Sequence, residues 1–194
     1  MPRPNARELV AGEDVDISPV LERHPMDLLV SFSALIHYGD SVHMRREVMT
    51  AIGFPSDDVQ LFLVVNQLAL RGAMRPTTLA DAIQTGRSNM TKIAGRLAKE
   101  DLAVKIPDPA DDRGVLLALT PKGRELGRAL VDHDTAQMAK NVEGWSQDDL
   151  AMFRRLLARF TAGIGGTLPA ATAEAFGFPR ASDVLAEFAA SEQH

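Results

Sequence analysis

Apolar residues in the first third of the chain recur at spacings of three and four, the spacing of one face of an α-helix. The pattern spans residues 25–51 and predicts one long helix. Gly53 interrupts it, and Ser56 is placed to cap a second helix over residues 57–71, which Gly72 closes. The second helix is apolar on nearly every side, so we expect it at the centre of the core.

Two short helices are predicted in the middle of the chain. Residues 79–84 form the first, with Thr77 or Thr78 as its cap, and residues 87–100 form the second after a tight Thr-Gly turn.

A hairpin and further helices complete the pattern. Apolar segments at 103–106 and 115–119 enclose eight residues of mostly turn-forming or polar type, which predicts a β-hairpin with a long polar tip. Thr-Pro then begins a helix over residues 121–142, and Ser-Gln-Asp-Asp caps another over 148–164, ended by Gly165-Gly166 and Pro169. A last short helical pattern lies at 183–189.

This element order predicts a mainly α-helical protein with a small β-hairpin wing, a winged helix-turn-helix joined to a helical dimerisation region. The long flanking helices present more apolar surface than one small winged domain covers, so we expect a homodimer. The predicted parts are a flexible arm at 1–18, an N-terminal dimerisation helix at 19–55, the winged helix-turn-helix at 56–120, C-terminal dimerisation helices at 121–166 and a C-terminal extension at 167–194.

The helix over residues 87–100 has two contrasting faces. The apolar face, which would seat the helix on its neighbours, consists of Met90, Ile93, Ala94 and Leu97. The opposite face carries cations, hydroxyls and an amide, with no acid before the last residue: Arg87, Ser88, Asn89, Lys92, Arg96 and Lys99. Such a face suits phosphates and base edges in the major groove of DNA. The alternative is an ordinary solvated amphipathic helix.

The distribution of charge supports a nucleic-acid partner more than the net charge does. The 194-residue chain carries −5, but residues 71–128 hold eleven Lys or Arg against seven Asp or Glu, a local balance of +4 between acidic flanks. The alternative interpretation of this local charge is a solvated surface whose charge varies along the chain without a nucleic-acid partner.

The amino-acid composition excludes several kinds of site and of protein. The sequence has no Cys, which excludes disulfides, thiolate metal sites and thiol redox sensing. It has neither an apolar run long enough for a membrane span nor the apolar core of a signal peptide near its start, so we expect a cytoplasmic protein without membrane association.

The motif Asp108-Pro109-Ala110-Asp111-Asp112-Arg113 is followed by a strand and by Leu119-Thr120-Pro121-Lys122-Gly123. With its flanking helices, this part of the chain, residues 78–123, resembles the DNA-binding core of the MarR family of bacterial regulators. Two positions depart from the family. Asp101 stands where many members have the Gly that suits a left-handed helix end, and Asp112 replaces a common second Arg of the wing.

The resemblance implies an obligate homodimer with interleaved first and last helices, whose recognition helices enter major grooves of a pseudo-palindromic operator. It implies further that Arg113 enters the minor groove and that Asp111 helps hold it. The predicted DNA-binding residues are Thr77, Thr78, Arg87, Ser88, Asn89, Thr91, Lys92, Arg96, Asp111 and Arg113.

The resemblance also implies release of DNA by a small anionic or phenolic effector, bound between the dimer helices and the recognition unit. The residues predicted to line that pocket are Phe32, Ile36, Phe62 and Asn66. The alternative is that these four residues are only core.

Other chemistry has little support in the sequence. His37 and His43 are six residues apart, which does not place them on one helical face, so no metal site is expected. No nucleophile elbow, phosphate loop or dinucleotide fingerprint occurs, so we expect no catalytic residue, no cofactor and no enzyme. The predicted function is a sequence-specific DNA-binding transcription regulator, a repressor released by a small ligand. The alternative is a ligand-binding or protein-interaction module on a winged-helix scaffold that no longer reads DNA.

Overall fold

The structure, a computed structural model, describes residues 20, 24 and 27–191. The elements of this part are α1 (Leu28–Asp40), α2 (Val42–Ala51), α3 (Val59–Arg71), α4 (Pro76–Ala82), α5 (Arg87–Lys99), β1 (Ala103–Asp108), β2 (Asp111–Leu119), α6 (Pro121–Asn141), α7 (Gln147–Thr167), α8 (Ala170–Phe176) and α9 (Ala181–Ser191). The predicted class, mainly α-helical with a β-hairpin wing, is confirmed. The described residues up to Ser41 form one unit and those from Val42 onward a second. The arm predicted at 1–18 lies outside the described residues.

The prediction of one continuous helix over residues 25–51 is wrong. Ser41 adopts an extended conformation with ψ of 115°, and its N–H donates to the carbonyl of Tyr38 at 3.2 Å, which ends α1. Gly39 and Asp40, which precede it, are poor helix formers, so the apolar periodicity runs across a point where the backbone favours a break.

Helix α3 lies at the centre of the core, as its apolar sequence predicts. Asp58 is its N-cap, with Oδ1 accepting the N–H of Gln60 at 2.8 Å. Ser56, the predicted cap, instead accepts the N–H of Asp58 at 3.1 Å, so that prediction is two residues early. Gly72 closes the helix at a φ of 81°, as expected. The largest fully buried side chains from α3 to the sheet, which belong to one core, are Leu61, Val64, Val65, Leu79, Met90, Ile93, Leu97, Leu102 and Leu117.

Strands β1 and β2 form an antiparallel hairpin that is more regular than the sequence suggested. The strands pair from Ala103 with Leu119 to Asp108 with Asp111, with a register shift after Pro107. The predicted long polar tip is therefore mostly strand, because Asp108 Oδ1 accepts the N–H of Ala110 at 2.9 Å and closes a tight turn.

The base of the hairpin is tied to the segment before α4. The N–H of Met74 donates to the carbonyl of Leu117 at 3.1 Å, and the N–H of Leu117 returns a bond of 2.8 Å. The hairpin is thus attached to the helical core by backbone hydrogen bonds as well as by side-chain packing.

The junction between α5, the sheet and α6 explains the motif Leu119 to Gly123. Thr120 caps α6, as predicted, and its Oγ1 accepts the N–H of Gly123 at 3.0 Å and donates to the carbonyl of Asp101 at 2.6 Å. Asp101 has a φ of 56°, the left-handed helix end expected at this position. A Cβ on Gly123 would lie 2.0 Å from the carbonyl oxygen of Leu102, so only glycine fits there.

Helix α7 begins at the predicted cap, Ser146, whose Oγ accepts the N–H of Asp149 at 3.1 Å. Of the residues predicted to end it, Gly165 and Gly166 lie inside its last turns. The helix stops at Leu168 with ψ of 154°, because a residue before proline is driven out of the α region and Pro169 follows.

The C-terminal extension holds two helices, α8 and α9, where the sequence predicted one. Helix α8 packs against α4, and α9 packs back on α7. None of the helices in the described part of the chain is long and apolar enough to cross a membrane.

Candidate nucleic-acid interface

Helices α4 and α5 form the helix-turn-helix. Helix α4 begins earlier than predicted, at Pro76, with Arg75 as an N-cap that makes no side-chain capping bond. Neither Thr77 nor Thr78 is the cap: both lie in the first turn, Thr77 exposed and Thr78 half-buried. The turn that follows depends on a left-handed residue, Gln84, with a φ of 53°.

Helix α5 buries its predicted apolar face and exposes the opposite one. Met90, Ile93, Ala94 and Leu97 are all buried. The exposed candidate residues on this helix are Arg87, Ser88, Thr91, Lys92 and Arg96. Gly86 caps the helix without a side chain and the first turn contains no acid, so the positive end of the helix dipole is not neutralised locally.

Two residues predicted on the exposed face of α5 are hydrogen-bonded to neighbouring segments. The Asn89 side-chain amide donates to Gln60 Oε1 and to Thr85 Oγ1, each at 2.9 Å. The Arg96 guanidinium forms an ion pair with Asp58, the carboxylate that caps α3. Both residues therefore help to hold α5 against α3.

The wing exposes Arg113. Its backbone N–H donates to Asp111 Oδ1 at 3.1 Å, while its guanidinium makes no ion pair within the described residues. In the free protein Asp111 thus holds the backbone of Arg113 rather than its charged group. Gly114 allows the tip to fold tightly, because a Cβ there would lie 2.7 Å from the Cβ of Asp108.

Arg75 joins the wing to the helix-turn-helix, and sequence analysis missed it. Its Nε and Nη2 donate to Asp108 Oδ2 at 2.8 and 2.7 Å, and Nη2 lies 3.3 Å from Asp111 Oδ2. Asp108 is only 8% exposed. The N–H of Ala110 and then Arg75 hold the pKa of Asp108 below its usual value, and Asp108 raises the pKa of Arg75. The partners are 33 residues apart in the chain, so no local pattern marks this contact.

Known proteins resemble this chain in sequence and in fold, although no family model matches it. An uncharacterised HTH-type transcriptional regulator of Bacillus subtilis, YxaD, is 28% identical over 98 residues, which is 50% of this chain and 68% of that protein.

Solved structures match this fold over most of the chain. A MarR family protein from Bacillus stearothermophilus superposes with a TM-score of 0.56 at 18% identity, over 70% of this chain and 94% of its own. The chain has the MarR fold. A MarR family regulator from Listeria monocytogenes in complex with 26mer DNA gives a TM-score of 0.54 at 15% identity, over 71% and 89% of the two chains. NadR in complex with 4-hydroxyphenylacetate gives 0.52 at 21%, over 74% and 97%. The resemblance to MarR proteins inferred from the sequence is confirmed in the fold.

Within this MarR fold, the four predicted effector-binding residues fall into the two separate units. Phe32, half-buried, and Ile36, 61% exposed, lie on α1. Phe62 and Asn66 lie on α3. Phe62 packs in the core with Leu130, which favours the alternative that it is only core. The Oδ1 of Asn66 is buried and has no hydrogen-bond partner among the described residues. The effector site stays a prediction.

The described part of the MarR fold contains no group of three or more His, Asp or Glu side chains placed to hold a metal ion. The exposed side chains of α5 and the wing carry cations and hydroxyls, groups that can bind phosphates and base edges.

Proposed function

We propose that this protein is a transcription regulator that binds specific double-stranded DNA as a homodimer and has no enzymatic role. The observation that carries the proposal is the pairing of an exposed cationic face on α5 with an exposed Arg113 on the wing, both attached to one core. The DNA complex of the Listeria protein and the description of YxaD as an HTH-type regulator support it.

The DNA contact proposed for each residue follows from its exposed chemical groups and its place in the fold. The first turn of α5, with Arg87 and Ser88, enters the major groove, which is about 12 Å wide. Lys92 and the start of α4, with Thr77 and Thr78, contact phosphates. Arg113 enters the adjacent minor groove.

Thr91, Asn89 and Arg96 have more restricted roles in this proposal. Asn89 contacts a base through its side-chain oxygen, because its amide N–H groups bond Gln60 and Thr85. Thr91 Oγ1 bonds the carbonyl of Arg87 at 3.2 Å, so it faces DNA mainly through its methyl group. Arg96 must break its ion pair with Asp58 before it can contact a phosphate, which reduces its net contribution to DNA affinity.

The homodimer is proposed from the apolar surface of α7. Its large apolar side chains, each between 36% and 50% exposed, are Met152, Phe153, Leu156, Leu157, Phe160 and Ile164. A contiguous apolar face of this kind normally marks an interface. Light scattering at micromolar concentration should give a dimer mass for the natural protein and a lower mass for Leu156→Glu; a monomeric natural protein would contradict the proposal.

We further propose that the protein is a repressor released by a small aromatic acid. The complex of NadR with 4-hydroxyphenylacetate supports an effector of this class. Such a compound acts only if it binds the DNA-incompetent state more tightly than the DNA-bound state. Titration of aromatic acids into the protein–DNA complex tests this, and a complex insensitive to all of them would count against it.

The central experiment measures DNA binding directly. Duplexes enriched by the protein from a random library are titrated by fluorescence anisotropy at several salt concentrations. Arg113→Ala should weaken binding about tenfold, since a good base contact is worth roughly 1–3 kcal/mol, yet change the free energy of unfolding by less than about 0.5 kcal/mol.

Arg180→Ala is the matched control, because it removes the same charge from an exposed loop outside the proposed interface. Normal binding by Arg113→Ala would contradict the wing assignment. Failure to enrich any duplex would favour the second candidate, a ligand-binding or protein-interaction module on a winged-helix scaffold that no longer reads DNA.

A further inference from the structure

The C-terminal extension contacts two parts of its own chain. Helix α8 packs against α4, the first helix of the helix-turn-helix, and its Ala175 is 3% exposed. The loop after α8 packs against α7: a Cβ on Gly165 would lie 2.8 Å from the Cβ of Phe178. Residues 168–191 therefore bridge α7 and the helix-turn-helix of the same chain.

Arg71, the last residue of α3, fixes this bridge. Its Nη1 donates to the carbonyl of Ala175 at 2.6 Å and to Gln67 Oε1 at 3.1 Å, and its Nη2 donates to the carbonyl of Glu174. The two carbonyls belong to the last turn of α8, at the negative end of the helix dipole, and that of Glu174 also accepts the N–H of Gly177 at 3.0 Å. Arg71 thus caps α8 from a segment more than 100 residues away.

The end of α8 is shaped for this contact. Gly177 has a φ of 74° and turns the chain back, with the N–H of Phe178 donating to the carbonyl of Ala173 at 3.0 Å. A Cβ on Gly177 would lie 3.4 Å from Arg71 Cδ and Nε, at van der Waals distance, so the arginine side chain passes close to this turn.

We infer that residues 168–191 form a brace, with Arg71 as its positioning residue, that holds the helix-turn-helix at a fixed place relative to α7. Apart from the brace, α7 follows α6 in the chain, and α6 packs on α3 and on β2, which in turn contact the helix-turn-helix. In a dimer built on α7, this second connection sets the separation of the two recognition helices. This inference rests on the proposed function, and it assigns to the extension the control of the distance between the two recognition helices.

The consequence for DNA binding follows from geometry. Two half-sites in successive major grooves lie about 34 Å apart, so a dimer whose helices sample many separations is competent only part of the time. The apparent dissociation constant rises in proportion to the lost competent fraction. Binding of one recognition helix to one half-site does not depend on that separation.

The test compares Arg71→Ala with Arg180→Ala, an equal loss of charge in the extension at a side chain that makes no hydrogen bond or ion pair shown among the described residues. The DNA probes are the palindromic duplex enriched from a random library, a duplex with one half-site, and palindromes respaced by one and two base pairs. Hydrogen exchange of residues 170–177 reports whether α8 is released.

For Arg71→Ala we expect about tenfold weaker binding to the palindrome, within the range of measured coupling between sites. Half-site binding should stay within about twofold, the respaced palindromes should bind nearly as well as the original, and α8 should exchange faster. Arg180→Ala should match the natural protein. If Arg71→Ala fails to fold, Ala175→Asp breaks the same contact from the α8 side without changing α3.

Two results would overturn the brace. One is normal palindrome binding when α8 exchanges faster. The other is an equal loss of affinity for the palindrome and the half-site, which would show that Arg71 acts within the helix-turn-helix and not on the spacing. If the natural protein enriches no duplex, the proposed function fails and the spacing role falls with it, while exchange still shows whether Arg71 holds α8.

Discussion

Replacing Gly123 by Ala should destabilise the protein by about 3 kcal/mol, although a Gly-to-Ala change in a helix is usually stabilising. Gly123 lies in the first turn of α6, against the backbone that follows α5. An alanine Cβ would lie 2.0 Å from the Leu102 carbonyl oxygen and 2.9 Å from its carbonyl carbon. Both contacts are backbone atoms, so no rotamer change relieves the overlap.

The magnitude follows from what must move. Normal carbon–oxygen contacts are about 3.3 Å, so α6 and the loop must separate by about 1 Å. That separation removes two hydrogen bonds of Thr120: its N–H to the carbonyl of Leu102 at 3.1 Å, and its Oγ1 to the carbonyl of Asp101 at 2.6 Å. Each contributes about 1 kcal/mol, overpacking strain adds about 1–3 kcal/mol, and the better helix propensity of Ala offsets at most about 1 kcal/mol.

Urea unfolding at one fixed protomer concentration measures the change, because a dimer's stability depends on concentration. Gly95→Ala is the matched control: Gly95 is exposed in α5, and a Cβ added there would meet no other described atom within 4 Å, so this variant should gain about 0.5–1 kcal/mol. A Gly123→Ala variant within about 0.5 kcal/mol of the natural protein would refute the close-approach argument.

Two further predictions concern charge. The folded pKa of Asp108 is lowered, by hydrogen bonds that include Arg75, so its stabilisation is present above the unfolded pKa of about 3.9 and is lost as pH falls through the folded pKa. Thermal unfolding between pH 6 and 3 tests this. At about pH 6 the melting temperature of Asp108→Asn should be lower than that of the natural protein, and it should fall less on acidification. Melting temperatures that fall in parallel would count against the ion pair. In salt titrations of DNA binding, Lys92→Ala should flatten the slope by about one unit and Arg96→Ala by less, because Arg96 already has a carboxylate partner; equal changes would contradict this difference.

The sequence is a good guide wherever a local rule decides the structure. The buried face of α5 follows from helical periodicity, and the caps at Thr120 and Ser146 follow from side-chain oxygens that reach the third residue of a helix. The left-handed Asp101 is predictable because the family resemblance marks that position as a helix end.

Predictions fail where competing local rules or distant partners decide. The hydrophobic periodicity predicted one continuous helix through Ser41, although the residues there favour a break. Of the residues predicted to end α7, Gly165 and Gly166 lie inside its last turns, and Pro169 sets the end. On the interface, Asn89 and Arg96 have the right chemistry for DNA, but their partners on other segments became visible only in the fold. Arg75 was missed for the same reason.

The hydrogen bonds of Asn89 restrict the base it can recognise. Both of its N–H groups are already donated, to Gln60 and Thr85, so while those bonds persist the side chain offers DNA an acceptor alone. It cannot then form the two-bond pairing with adenine, which requires a donor to N7 as well as an acceptor for N6. A single acceptor suits the exocyclic amino group of cytosine or adenine and finds no partner on the major-groove edge of guanine or thymine. Operators enriched by this protein should therefore avoid guanine and thymine at the base facing Asn89.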